Sequence, residues 1–402
     1  MFNYIQQIML TNVRIHTMND KNEVIDKGYM YIKEGKIIDF GKMINMPKYN
    51  ILRRDFQGAD MYPGFIDAHT HLGLFGDSVG LEDTDGNEDS DPVTPELNVI
   101  DGINTNNSYF DEALRAGITT AVISPGSTNP VAGQISAFKT YGVYGQKRRA
   151  DDMLLRSGIA VKFALGENPK STYDEKEQTP VTRMAIAALI REMLEKARRY
   201  DKLKEMYEND PQNNDEPEYD RKCEAMLPLI RREATAHFHA HTADDIFTAL
   251  RISKEYNIRA VIVHGTEGHE ICEAIKNESE GILSGPIMTD RSKPELRSLS
   301  MRSPGILSSN GVCTAIITDH PETPVHLLLV CAAVAVKGGM SRVDALRAVT
   351  INPARIGGID DRVGSIEKGK DADLVIYKGD PLDVTNSPSA VFAGGRIVVG
   401  GE

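Results

Sequence analysis

The chain has 402 residues, and at roughly 150 residues per domain that length gives a soft prior of two to three units, although an α/β barrel takes about 250 as one. With 41% hydrophobic and 26% charged residues it is neither disordered nor fibrous. Lys+Arg 46 against Asp+Glu 58 leaves a net charge of −12, which argues against binding nucleic acid or an anionic membrane, since both need a positive face. The longest apolar runs fall far short of the roughly 20 residues of a membrane span. Met1–Leu10 carries no basic segment and does not read as a leader. Cys223, Cys272, Cys313 and Cys331 are scattered without a CxxC spacing and fit reduced thiols. The expectation is a cytoplasmic protein acting on a small molecule, as a homo-oligomer.

In chain order, residues 1–60 read as β-rich. Residues 8–15 (IMLTNVRI), 28–33 (GYMYIK) and 36–40 (KIIDF, after the Glu34-Gly35 turn) have strand composition. Residues 355–402 share that texture, at 372–377 (ADLVIY) and 390–399 (AVFAGGRIVV). Neither piece closes a stable sheet alone. The two ends are therefore expected to pair into one small β-sandwich domain, with residues 61–354 between them as a second unit.

That middle region alternates short apolar strands with amphipathic helices. Strands are expected at 64–68, 117–123, 158–165, 234–240, 258–263, 282–285 and 312–318, with an eighth inside 130–140. The clearest helix is expected to start after Thr179-Pro180, and its apolar residues Ile186, Ile190, Met193, Leu194 and Ala197 fall on one face. Residues 200–222 are polar and acidic and read as a solvated extension of that helix. Repeated βα units of this size predict a (β/α)8 barrel or a doubly wound sheet.

Histidine placement carries the chemistry. Ten histidines in a chain of this length give about 0.25 His-x-His pairs by chance. Three occur: His69/His71, His237/His239 and His239/His241. Each sits at a strand end, where residues i and i+2 share a face, so two imidazoles can reach one ion. His264 ends a later strand and Asp319 the last. Nitrogen and oxygen donors of this kind suit a first-row divalent metal, zinc above all, with iron or manganese as alternatives.

These segments resemble the amidohydrolase superfamily, specifically its imidazolonepropionase-like members. The matching motifs are PGFIDAHTH at 63–71, AGITTAVISPGS at 116–127, HAHTADDI at 239–246, VHGTE at 263–267 and TDHPETP at 318–324. TINPARIGG at 350–358 and GSIEKGKDADLVIY at 364–377 extend the match almost to the end of the chain. The resemblance implies a (β/α)8 TIM-type barrel with a composite β-sandwich and a divalent metal at the mouth of the barrel. It implies His69, His71, His239 and His264 as ligands, with Asp319 both ligating and moving the proton and His264 placed at the reacting centre. His241, two residues further out on the face of His239, is a candidate lining of the substrate pocket. His237 reads as structural, and His320 as a hydrogen-bonded neighbour of the site. Gln134, Glu167, Asn168 and Lys293 follow strands on the side where barrels build their sites, and they are the remaining substrate contacts to test.

The number of ions turns on strand 4. Two ions roughly 3.5–4 Å apart need a bridging anion. Lys162 lies inside an apolar strand, where an ordinary ammonium is costly to bury. Alternation puts Lys162, Ala164 and Gly166 on one face, and Val161, Phe163, Leu165 and Glu167 on the other. Lys162 carboxylated by carbon dioxide is the favoured bridge, Glu167 is the alternative carboxylate, and a single ion is the remaining reading. The expected activity is metal-dependent hydrolysis of an amide or cyclic amide C–N bond, with Asp319 as general base. The rivals are a deaminase of a nitrogen heterocycle and an inactive barrel. Superfamily deaminases commonly carry a strand-5 His-x-x-Glu, and Thr242 stands at that position here.

Overall fold

The computed structural model describes residues 7–76 and 84–400. The first six residues of the stretch weighed above as a leader lie outside them.

Two sheets of eight strands organise the chain. The first begins with β1 (Gln7–His16), β2 (Val24–Lys33) and β3 (Lys36–Lys42), an antiparallel meander. Glu34 and Gly35, at φ of 50° and 77°, make the tight reversal between β2 and β3. β4 (Leu52–Asp55) and β5 (Asp60–Pro63) both run parallel to β1.

One residue further on, the chain enters the second sheet. Its strands are β6 (Phe65–Thr70), β7 (Ile118–Ile123), β8 (Val131–Lys139), β9 (Leu154–Ala164), β10 (Thr235–Ala240), β11 (Ala260–His264), β12 (Gly281–Ser284) and β13 (Thr314–Ile316). Each pairs with its neighbour in sequence, from β6 through β13, the order of a barrel. The seam between first and last strand is closed beyond the end of β13. There the Thr318 N–H and hydroxyl donate to the Asp67 carboxylate, and the Asp319 N–H donates to the His69 carbonyl.

The repeat breaks at one place. β8 is antiparallel to both β7 and β9, whereas a run of βα units implies parallel strands throughout. Only residues 124–130 join β7 to β8, and a parallel crossover needs a dozen or more. The chain has no room to return to the start of the sheet, so it turns back.

The chain then re-enters the first sheet as β14 (Leu374–Tyr377), β15 (Ala390–Ala393) and β16 (Arg396–Gly400). β14 pairs antiparallel with β5, Leu374 opposite Pro63 and Tyr377 opposite Asp60, which joins the two ends of the chain in one composite sheet. Alternation divides that sheet's work. Leu374, Ile376 and Phe392 share a buried cluster with Ile8, Leu10, Met30 and Ile32. Val375, Tyr377 and Val391 point the other way and pack with Phe65, Leu114 and Ile118 of the barrel.

The barrel has the inside-out pattern that strand alternation predicts. Val161, Phe163, Leu165, Ala236, Phe238 and Ala240 face the helices, among them Ile186, Ile190 and Leu194 of the helix Arg183–Asn209. That helix starts three residues later than Thr179-Pro180 suggests. Thr182 caps it, its hydroxyl accepting from the Ala185 N–H at 3.1 Å. The helix extension foreseen for 200–222 reaches Asn209, and a new helix, Arg221–Ile230, begins behind the Asp220 cap.

Candidate metal centre

Outward-facing Val161, Phe238 and Ala240 leave their alternate neighbours pointing into the barrel, and those neighbours are polar. From β6 they are Asp67 and His69, both fully buried, followed by His71 just past the strand end. The His71 Nδ1–H donates to the Ser124 carbonyl at 2.7 Å. A carbonyl only accepts, so this bond fixes the tautomer and leaves Nε2 as a free lone pair. Asp319 Oδ1 stands 3.4 Å from His69 Nε2 and 3.3 Å from His71 Nε2. Asp319 has φ of 53°, so the backbone itself turns the carboxylate toward those rings.

From β9 comes Lys162, fully buried, its Nζ 3.1 Å from His69 Nε2. In register beside it on β10 is His237, followed on the same face by His239 and then His241. The His264 Nδ1–H donates to the Gly285 carbonyl at 2.7 Å, which again frees Nε2, and His241 Nδ1 lies 2.8 Å from the Thr266 hydroxyl.

Two donor groups result. One ligand atom each from His69, His71 and Asp319 lie within 4.8 Å of one another, and so do those of His239, His241 and His264. Burial depresses His69, His239 and His241 well below the ordinary imidazole range and His264 to about 4, with Lys162 adding to each shift. The exception is His241, where the added push comes from His264, His239 and Lys293. All are therefore neutral bases near pH 7, the form that ligates. Burial pushes the Asp319 carboxyl up, but His264, His71 and Lys162 outweigh it and hold it below the usual range, ionised. Burial lowers the Lys162 amine to about 7. Both ring nitrogens of His239, Nε2 of His241 and Oδ1 of Asp319 are buried without a hydrogen-bond partner. Buried polar atoms left open at one spot fit a cation that satisfies them together.

The site opens into a cavity of about 290 Å³ lined by His71, His239, His241, His264 and Asp319. On its rim the Lys293 Nζ donates to Asn168 Oδ1 at 2.8 Å and pairs with Glu295 Oε1 at 2.7 Å. Asn168 and Lys293 thus stand at the cavity with His241. Gln134 and Glu167 do not. On the reversed strand β8, Gln134 pairs with Val161 and shares its outward face, whereas parallel geometry was the premise for placing it at the mouth. Glu167 begins the helix Glu167–Asp174, and only its backbone takes part, donating to Glu295 Oε2 at 3.1 Å. His320 also departs from expectation. Its ring nitrogens are buried without hydrogen bonds, and the ring packs edge-on against Tyr109 at 4.4 Å.

Two residues of the site were not singled out from sequence. Asp67, pushed up to about 7 by burial although Thr318 and two N–H donors pull it down, clasps β6 to the loop that carries Asp319. Its period-two spacing from His69 was a usable signal. Glu295, with a side chain only 6% exposed, stands beside His239 and His241 at 4.0 and 3.6 Å. It sits in the single 3₁₀ turn Pro294–Leu296, two residues after Lys293, the member of that segment chosen from sequence.

Residues 61–399 match the model of the amidohydrolase family. The chain belongs to the amidohydrolase family. Among the relatives of this amidohydrolase is the amidohydrolase tasK of Hapsidospora irregularis, 28% identical over 362 residues; the match takes 85% of this chain but only 36% of tasK. The imidazolonepropionase of Sphingopyxis alaskensis is 25% identical over 411 residues, covering 93% of this chain and 92% of that enzyme. In three dimensions the amidohydrolase is similar to an amidohydrolase from Thermotoga maritima, at 37% identity and a TM-score of 0.91, over 98% of this chain and 99% of the other. The imidazolonepropionase-like resemblance of the motifs and the barrel with its separate sheet domain accord with these relatives. Among the described residues, no helix is long and apolar enough to cross a membrane.

Proposed function

We propose that this amidohydrolase hydrolyses the C–N bond of a small amide or cyclic amide, using divalent metal held by His69, His71, Lys162, His239, His264 and Asp319, with zinc the first choice. The observation that carries the reading is the convergence of two buried donor groups, with an ionised Asp319 in contact with His69 and His71. When bound, such a metal lowers the pKa of water toward about 7 and polarises the scissile carbonyl.

The residues supply the rest. Asp319 Oδ1 accepts a proton from the attacking water and passes it to the leaving nitrogen, the two halves of general base and general acid catalysis. His264, oriented by the Gly285 carbonyl, keeps Nε2 on the reacting side. Lys162, brought toward neutrality by burial, has the free amine that carbon dioxide requires. The N–C bond forms as one C–O π bond of carbon dioxide opens, a proton leaves the nitrogen, and a carbamate anion replaces the neutral amine. Lys293 and Asn168, on the cavity rim, hold polar groups of the substrate.

The test is metal analysis of the purified protein beside a screen of N-acyl amino acids, cyclic amides, dipeptides and aminated heterocycles. Amide hydrolysis that depends on a divalent ion is the expected result. Ammonia release from the heterocycles without amide hydrolysis overturns it in favour of deamination.

A further inference from the structure

We infer that Lys293 and Asn168 form a carboxylate-binding subsite, so that the substrate is an acylated amino acid or short peptide whose free carboxylate stands beside the C–N bond; this rests on the proposed hydrolysis and names its substrate class. The two side chains reach one cavity from different loops. Asn168 lies in the first turn of the helix Glu167–Asp174, behind β9, and Lys293 precedes the 3₁₀ turn Pro294–Leu296, behind β12. Glu295 ties the two loops together. Its Oε2 accepts from the Glu167 N–H at 3.1 Å, and its Oε1 pairs with Lys293 Nζ at 2.7 Å. Gly166 leaves the room for that contact. It has φ of 83°, and a Cβ there would stand 2.6 Å from Glu295 Oε2, so a side chain is excluded on both counts. The wall is therefore in place before any ligand arrives.

The donors left over define what this wall can take. An ammonium only donates, so Asn168 must offer Oδ1 to Lys293, at 2.8 Å, and its Nδ2 is turned elsewhere. Among the described residues that Nδ2 has no hydrogen-bond partner. Lys293 has three N–H donors and spends two, on Asn168 and Glu295. One ammonium N–H and the amide pair remain, all donors. A carbonyl brings a single uncharged oxygen to such a wall. A carboxylate brings two and gains charge assistance from Lys293. Asp319 and Glu322 on the cavity wall are acids, and among the described residues Lys293 is the sole ammonium or guanidinium lining it. The location sets the length of the substrate. Glu295 Oε1, in contact with Lys293 Nζ, lies 3.6 Å from His241 Nε2, so one carboxylate separates the ammonium from the imidazoles of the site. An amino acid released from its acyl group carries its carboxylate one carbon from the nitrogen set free, which matches that short span.

The experiment uses the full-length protein as purified and two probes without a C–N bond, 3-phenylpropanoate and 3-phenylpropanol, whose binding is read by ligand-observed NMR. The wild type is expected to hold the acid about tenfold to a hundredfold more tightly than the alcohol, the worth of a hydrogen-bonded charge. Lys293→Met is expected to bring the two within about threefold, and Asn168→Ala to narrow the gap by about threefold. In the hydrolysis assay, N-acetyl amino acids should exceed their C-terminal carboxamides in kcat/KM by the same factor, with the difference in KM. No preference in the wild type overturns the subsite. So does a preference that survives in Lys293→Met, which puts the carboxylate on metal instead. If Lys293→Met does not fold, an unaltered preference in Asn168→Ala overturns it. A preference that follows Lys293 with no C–N hydrolysis keeps the carboxylate subsite and removes the proposed activity. Equal hydrolysis of acids and carboxamides removes the subsite and keeps the activity.

Discussion

Among the described residues two lysines are buried in the barrel, and they live in opposite electrostatic surroundings. Lys139, at the end of β8, is 7% exposed, with Nζ 2.6 Å from Asp373 and 3.0 Å from Asp371. Those acids are shared with Lys36, Arg362 and the Tyr141 hydroxyl. Burial pushes Asp371 up, but Lys139, Arg362 and Lys36 outweigh it and bring it to about 2. Lys162, one strand away, is fully buried, meets a histidine nitrogen, and has no carboxylate oxygen within 4 Å among the described residues. A buried cation surrounded by anions is a strut. One without them is held close to neutrality and carries a reactive lone pair. The same residue type serves architecture in one place and chemistry in the other, and the counter-charges decide which.

The sharpest way to break that contrast is through Asp319, the acid whose charge acts on Lys162. Asp319→Asn is expected to lower kcat by about a hundred- to ten-thousandfold while retaining much of its metal. Activity within a few fold of wild type in a steady-state assay contradicts Asp319 as the base. Lys162→Ala is expected to hold at most one ion and to lose on the order of a thousandfold in kcat/KM, the several kcal/mol that metal catalysis is worth. Acetate or formate, entering the space left by the side chain, should restore part of the rate. Full metal content in that variant rules Lys162 out as a ligand.

Lys139→Met tests the strut. Breaking a buried pair from one side leaves Asp371 and Asp373 uncompensated and is expected to cost about 3–5 kcal/mol in denaturant unfolding, with metal content intact in the folded fraction. Lost metal at unchanged stability erases the distinction between the two lysines. The smallest effect is on pH dependence. Between pH 7 and the ordinary 10.5, the Lys162 amine of the unfolded chain is protonated and that of the folded, metal-free protein is not. The unfolded state binds more protons there, so stability rises with pH, at up to about 1.4 kcal/mol per pH unit. Lys162→Met should flatten that slope, whereas a slope unaltered by the substitution assigns it to other groups.

Much of this was readable from the chain. Short apolar runs ending in histidine mark barrel strands because a strand buried on one side by helices and on the other by its own barrel has little room for polar residues except at its end. Period two then puts His69 with His71, and Lys162 opposite the face of Phe163. The direction of β8 was not read, although the short link between Ile123 and Val131 contains the reason, and with it went the place of Gln134. Glu295 was passed over, in favour of its neighbour Lys293, for another cause. Its proximity to His239 and His241 is made by the path of the loop after β12, where neither periodicity nor spacing constrains the chain. The Arg183 start of the long helix shows a milder failure, in which a proline outweighed the hydroxyl of Thr182 that supplies the cap.

The composite sheet gives the Lys139 strut a place in time as well as in space. Asp373 follows Lys139 by 234 residues, so a ribosome adding roughly 5–20 residues per second delivers the counter-charge on the order of 10 to 50 seconds after the lysine. During that interval the strands β9 to β13 join β6, β7 and β8, while one wall of the barrel still lacks both its anions and the apolar face of β14 and β15. Until β14 and β15 arrive, the barrel strands can pair among themselves, but that wall has neither the counter-charges of Lys139 nor its apolar cover.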